Sequence, residues 1–385
     1  MPTQGSMTPL SPSAGSLPGR WLGSVISRCT KAHYPEVACD GQSYRRQVSS
    51  FKIVKKYLHK RLALALGGQG ALVRQHVPPG SRVLWLFTGK RNFGDANLEL
   101  SGRALLKGRG VRIDLLTLPN LHALFKEDDV FENVFQDVRE VRPGDYDFIL
   151  LSEYNHRSIR LKRRFFRCLP FACLFGYFDG PARNQSCFSH AAINDIFRLQ
   201  LTSEQVLAAA KPYLCTSEAT KASVASLIPQ EPYVTVSIGG IDPFRSYRHW
   251  PEFLRLLDEC DSAGVPKTVV LVGSDNGLDM LEKIQAEHYP RLRVRSLIGQ
   301  LSILQTREVI AQARAFVGCD GGLMHVAHST GTRSVSLFAV TEPWQYWLTE
   351  RCGSLPIQSG SDVSAIEPVR ILESLQEIGS AAVPA

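Results

Sequence analysis

Apolar residues recur along this chain with two different periods. Short apolar runs at 81–88, 111–117, 147–152, 233–238, 268–272, 315–317 and 334–340 have strand length and read as strands buried on both faces. Between them, apolar positions at helical spacing predict helices over 96–107, 203–211, 303–313, 323–330 and 368–378, with another starting at Glu252. Strands that alternate with helices of this length build parallel sheets through crossovers, so the fold class is α/β. Ahead of the first strand, Phe51, Val54, Leu58, Leu62 and Leu66 lie at helical spacing with Lys52, Lys55, Lys56, Lys60 and Arg61 on other faces. This basic amphipathic helix has two readings: it packs on its own domain, or it lies on an anionic leaflet.

A chain of 385 residues exceeds what one core usually supports. The pattern divides it into a leader over 1–46 that is poor in structure signals, a first domain over 47–222, a second over 223–361, and a terminal helix and tail over 362–385. Pro229 and Pro232 punctuate the link between the domains. No apolar run reaches the length of a membrane span, and the start lacks the apolar segment of a signal peptide, so a cytoplasmic protein is expected. Nine scattered cysteines form no Cys-x-x-Cys pair and no zinc spacing. The net charge of +8 favours an anionic partner, whether nucleotide sugar, acidic glycolipid, membrane surface or nucleic acid. No nucleic-acid module is present, and that partner is set aside.

The chemistry gathers at strand ends. Asp320 is placed as the N-cap of the helix over 323–330, with Gly331 closing it, and Gly321 and Gly322 stand at the turn. Without a Cβ, the glycines let backbone N–H groups reach a ligand, and the helix start adds partial positive charge, as a diphosphate requires. His325, one turn in, either donates to the same ligand or is a surface histidine beside a tight turn. Asp95 follows the first strand, where it reads as a cap of the next helix. After the strand at 147–152 come six cations, Arg157, Arg160, Lys162, Arg163, Arg164 and Arg167, which are either solvated surface or, following a strand carboxyl end, a ligand contact.

The run Asp320-Gly321-Gly322-Leu323-Met324-His325-Val326-Ala327-His328, then Gly331, then Leu337-Phe338-Ala339-Val340-Thr341-Glu342-Pro343, resembles the donor-site motif of glycosyltransferase family nine, the ADP-heptose lipopolysaccharide heptosyltransferases. Gly321 stands where that family has threonine, and Ala339 where it has glycine. The loop Asn92-Phe93-Gly94-Asp95 resembles the family's amino-terminal Gly-Asp motif, whose aspartate is the proposed base. The loop from Gly239 to Arg248-His249-Trp250-Pro251 resembles its Lys-x-Trp-Pro loop, with Arg248 at the lysine and Pro243-Phe244 where paired hydroxyls are usual.

The resemblance implies a GT-B fold of two Rossmann-like domains facing a cleft, and an inverting transfer of heptose from ADP-heptose to a lipopolysaccharide-core glycolipid at the cytoplasmic face of the inner membrane. Asp95 would be the base, with Arg248, Asp320, Gly321, Gly322 and His325 holding the donor and Arg157, Arg160, Lys162, Arg163 and Arg164 contacting the acceptor or the membrane. No metal is expected, because no Asp-x-Asp stands at a strand end. It also implies a terminal helix crossing back to the first domain. A protein acceptor, a nucleotide-sugar epimerase or hydrolase, and a non-catalytic nucleotide-sugar-binding protein remain alternatives.

Overall fold

The computed structural model describes residues 50–175, 184–339 and 344–380. Its first sheet holds β1 (Arg82–Phe87), β2 (Arg112–Thr117), β3 (Val134–Phe135), β4 (Phe148–Leu151) and β5 (Phe171–Cys173), in the order β3-β2-β1-β4-β5. The second holds β6 (Tyr233–Ser237), β7 (Thr268–Val272), β8 (Arg293–Ser296), β9 (Ala315–Cys319), β10 (Ser334–Phe338) and β11 (Ser354–Gln358), in the order β11-β10-β9-β6-β7-β8. Every pairing is parallel. In both sheets the order reverses beside the first strand, between β1 and β4 and between β6 and β9. At such switch points the loops after the strands part and leave a crevice for a ligand.

The helices are α1 (Ser50–Ala65), α2 (Phe93–Glu99), α3 (Pro119–Phe125), α4 (His156–Phe165), α5 (Gln185–Ile196), α6 (Ser203–Ala209), α7 (Glu218–Val224), α8 (Trp250–Glu259), α9 (Leu278–Gln285), α10 (Ile303–Ala311), α11 (Gly322–Thr330) and α12 (Pro368–Ser380). The helix expected over 96–107 starts earlier and ends at Glu99, giving way to a 3₁₀ segment over Ser101–Leu106. There the Ser101 hydroxyl donates back to the Leu98 carbonyl, 2.7 Å away, a local bond that competes with helix propagation.

Alternation along the strands sorts their side chains between faces. Leu84, Leu86, Ile149 and Leu151 meet Leu64 of α1 and Ile159 of α4 on one face of the first sheet. In the second sheet, Val234, Val236, Leu271 and Leu337 meet Trp250 and Leu254 of α8 and Ile371 and Leu375 of α12. The remaining faces share one core, in which Val83, Trp85 and Phe87 are continuous with Val270, Val272 and Phe316 through α2 and α11.

Two sequence expectations are corrected. The terminal helix packs on α8 and β10 of the second sheet instead of crossing back, because Ile371, Leu375 and Ile378 complete that core. Among the described side chains of α1, Tyr57, Ala63 and Leu64 face inward, whereas Leu58, Leu62 and Leu66 are 59%, 57% and 55% exposed; those of Phe51 and Val54 lie outside the described residues. The leucine stripe expected to pack therefore faces outward. The leader over 1–46 and residues Val340, Thr341, Glu342 and Pro343 of the donor motif lie outside the described residues.

Candidate active site

The crevice is built where the starts of two helices meet, one from each sheet. After β1 the chain turns through Asn92, the extended residue before α2, and Asp95 falls in the first turn of the helix. Asn92 occupies the cap position, so capping does not explain Asp95. A carboxylate in a first helical turn is favoured by the helix dipole. Across the crevice, α11 starts after β9, with Gly321 as its N-cap and Gly331 closing it at φ 82°. Asp320 is therefore not the cap expected from the sequence. The Asn97 amide donates to the His325 carbonyl at 3.2 Å, tying α2 to α11.

His325 is buried, and its Nδ1 has no hydrogen-bond partner among the described residues. Its ring lies 5.8 Å from that of Trp347 and 6.1 Å from that of His328. Burial, with the nearby Arg245 cation adding to it, pushes its pKa down to about 3. The imidazole is neutral at physiological pH and can offer one N–H to a ligand oxygen without bringing a charge.

Arg245 is the cation of this half of the site, and sequence reasoning missed it. It ends a 3₁₀ turn over Pro243–Arg245, with its guanidinium 3.6 Å from the buried Asp320 carboxylate and 5.3 Å from the Phe244 ring centre. Arg248, placed at the site by the motif, instead donates to Asp362 at 3.1 Å and is 60% exposed. The neighbouring Trp250 is fully buried against Tyr247 and Phe253, so Trp-Pro here serves packing and the start of α8.

A second charged group surrounds Asp95. Lys90, in the loop before α2, forms an ion pair with the buried Glu99, one turn beyond Asp95. Burial raises the Glu99 carboxyl to about 7, Lys90 opposes the shift, and Glu153 and Asp95 add to it. Burial pulls Lys90 down, yet Glu99, Asp95 and Glu153 together hold it above its ordinary value. Three carboxylates thus share one lysine at the carboxyl ends of β1 and β4. The i, i+4 spacing of Asp95 and Glu99 was visible in the sequence, but their shared lysine was not.

The basic run forms most of α4, with Asn155 accepting from Ser158 N as its cap. Arg157, Arg160, Arg163 and Arg164 are exposed. Lys162 corrects the expectation of a surface contact: it is fully buried, donates to Gln69 Oε1 at 2.7 Å, and lies 4.6 Å from the Phe171 ring centre. Burial lowers its pKa to about 8. Among the described residues, no three His, Cys, Asp or Glu side chains gather as a metal ion would need.

Residues 184–351 match the model of glycosyltransferase family 9 (heptosyltransferase). This segment is a glycosyltransferase family 9 domain. The family 9 domain includes Arg245, Arg248, Asp320, Gly321, Gly322 and His325, while Asp95 lies before it. No curated protein matches the sequence.

Among solved structures, the chain is similar to a glycosyl transferase family 9 protein from Veillonella parvula DSM 2008, at 14% identity and TM-score 0.63, over 77% of this chain and 97% of that one. It is also similar to E. coli ADP-heptose lps heptosyltransferase II, at 19% identity and TM-score 0.59, over 77% and 98%. A third similar structure, E. coli heptosyltransferase WaaC with ADP, has 14% identity and TM-score 0.57 over 77% and 99%. The fold is GT-B, and the expectation of a glycosyltransferase is met by the family 9 match.

Proposed function

We propose that this glycosyltransferase transfers heptose from ADP-heptose, with inversion, to an acidic glycolipid of the lipopolysaccharide core at the cytoplasmic face of the inner membrane. The observation that carries this reading is the meeting of two helix starts, with Asp95 on one and Gly322 and His325 on the other. The ADP and ADP-heptose in the names of the similar E. coli structures support the choice of donor.

In this reading the acceptor hydroxyl oxygen attacks the anomeric carbon and its proton passes to the Asp95 carboxylate. The bond from that carbon to the diphosphate oxygen breaks, and its electron pair leaves on the diphosphate. Arg245, the N–H groups at the start of α11 and a neutral His325 receive the growing charge, which fixed donors stabilise most in the transition state. Lys90 balances the charge of Asp95 and Glu99, so the base is held beside a cation before substrate arrives. With these groups on the diphosphate, transfer needs no divalent metal.

The test is product analysis with purified protein, ADP-heptose and a heptose-free core acceptor, with and without chelator. Transfer that survives chelation supports the reading. Hydrolysis or epimerisation of the donor without transfer would replace it.

A further inference from the structure

The two basic segments, α1 and α4, come together on one face of the first sheet. The His59 ring stacks on that of His156, with centroids 6.0 Å apart, and Arg163 Nη1 donates to the Leu66 carbonyl at 3.3 Å. Seven residues separate these contacts along each helix, so α1 and α4 lie side by side and run in the same sense. Asn155, the cap of α4, follows β4, so this end of the helix pair borders the crevice.

The outer surface of the pair has two components. Leu58, Leu62 and Leu66 form a stripe at i, i+4, i+8 spacing and are more than half exposed. Beside it, Lys55, Arg157, Arg160, Arg163 and Arg164 are exposed. Neither segment supplies a carboxylate of its own. Residues 41–94 carry eleven lysines and arginines, residues 154–178 carry six, and neither stretch contains an aspartate or glutamate. The rest of the chain holds 27 cations against 36 anions, so the +8 of the whole comes from these two stretches. Arg82, Lys90 and Lys162 are engaged within the fold by Asp114, Glu99 and Gln69. The remaining basic side chains of α4 face solvent or lie on α1.

We infer that the outer face of α1 and α4 docks on an anionic lipid bilayer, with Leu58, Leu62 and Leu66 entering the acyl boundary and the arginines of α4 lying on acidic headgroups. An apolar stripe beside a one-signed basic field suits such a surface, because burial of the leucines and attraction of the cations act together. A soluble acidic partner would satisfy the arginines and leave the leucines in water. The inference deepens the proposed function by naming how the enzyme meets a membrane-borne acceptor. Vesicle binding needs no turnover, so the two fail separately.

The test uses the full chain in vesicle sedimentation, with phosphatidylcholine alone and with phosphatidylglycerol mixed in, at low and high salt. Binding is expected only to the anionic vesicles, weakening as salt rises. Leu58→Ser/Leu62→Ser/Leu66→Ser and Arg157→Ala/Arg160→Ala/Arg164→Ala are each expected to weaken it by about 10- to 100-fold, the second with a shallower salt dependence. All six side chains are exposed, so melting temperatures should match the parent. Equal binding to neutral vesicles would overturn the inference, as would a leucine variant that binds like the parent. A leucine variant that loses self-association while keeping vesicle binding would assign the stripe to a second copy of the chain and overturn it too.

Discussion

Gly94 and Gly322 approach so closely that a Cβ on Gly94 would lie 3.2 Å from the Gly322 Cα and 3.2 Å from His325 Cδ2. On the other side, a Cβ on Gly322 would sit 2.0 Å from Cζ of the Phe93 ring. The two helix starts therefore meet backbone to backbone, with one aromatic ring closing the contact. Gly322→Ala should force the helices apart and cost about 1–3 kcal/mol, as overpacking does. Thermal unfolding checks the magnitude. Phe93→Ala in the same chain should restore the lost stability in part, and no restoration would show that the ring is not what the methyl meets.

Replacing Asp95 by Asn keeps its size while removing the base. Transfer should slow by roughly 10²- to 10⁴-fold, with donor affinity and melting temperature near the parent values. Because Asn92 occupies the cap position, loss of a cap would not account for a slower enzyme. A variant that transfers sugar at a near-parental rate would remove Asp95 from the mechanism.

Arg245 and Arg248 make opposed predictions. If Arg245 is the cation of the diphosphate, Arg245→Ala should weaken ADP binding by about 10- to 100-fold, the worth of a charged hydrogen bond. Arg248→Ala, which breaks a contact to Asp362 at the surface, should change it little. Titration calorimetry with ADP reads both. The reverse order would mean that the loop rearranges on binding to bring Arg248 in.

Three buried histidines set an acid limit on stability. His325 is pushed down to about 3 and His190 to about 4, and His328 lies well below its ordinary value, burial leading in each case. A folded pKa below the unfolded one means that the unfolded chain binds more protons in between. The stabilisation is thus complete above the ordinary histidine pKa of about 6.5 and is lost as pH falls towards the folded values. His325 and His190 should each contribute a loss of roughly 2 kcal/mol by pH 5, with His328 acting in the same direction. Denaturant melts from pH 7 to pH 5 should show this, and His190→Gln should flatten the slope. A flat profile in the parent would show that these imidazoles already titrate in the folded state.

The strands legible in the sequence were those buried on both faces, such as β1 and β7, where every position after the first is apolar. The edge strands were not: β3 has two residues, and β8, Arg293–Ser296, has no continuous apolar run to read. In the site, the residues that the sequence could single out were those carried by a motif at a strand end, such as Asp95, Gly321 and Gly322, because their order along the chain marks them. Arg245 sits three residues before Arg248, and only the folded loop shows which of the two turns towards Asp320. Lys162 failed for a related reason. A lysine within a run of arginines reads as surface, and its burial depends on Gln69, 93 residues earlier.

The apolar interior shared by Trp85, Phe87, Val272, Phe316 and Met324 ties the two sheets into one mechanical body. Opening them like a book would wet that interior, so substrates should enter by displacement of loops such as the one before α2 and the one carrying Arg245, with the sheets standing still. Heating should likewise melt both halves in a single calorimetric transition, whose van't Hoff and calorimetric enthalpies agree.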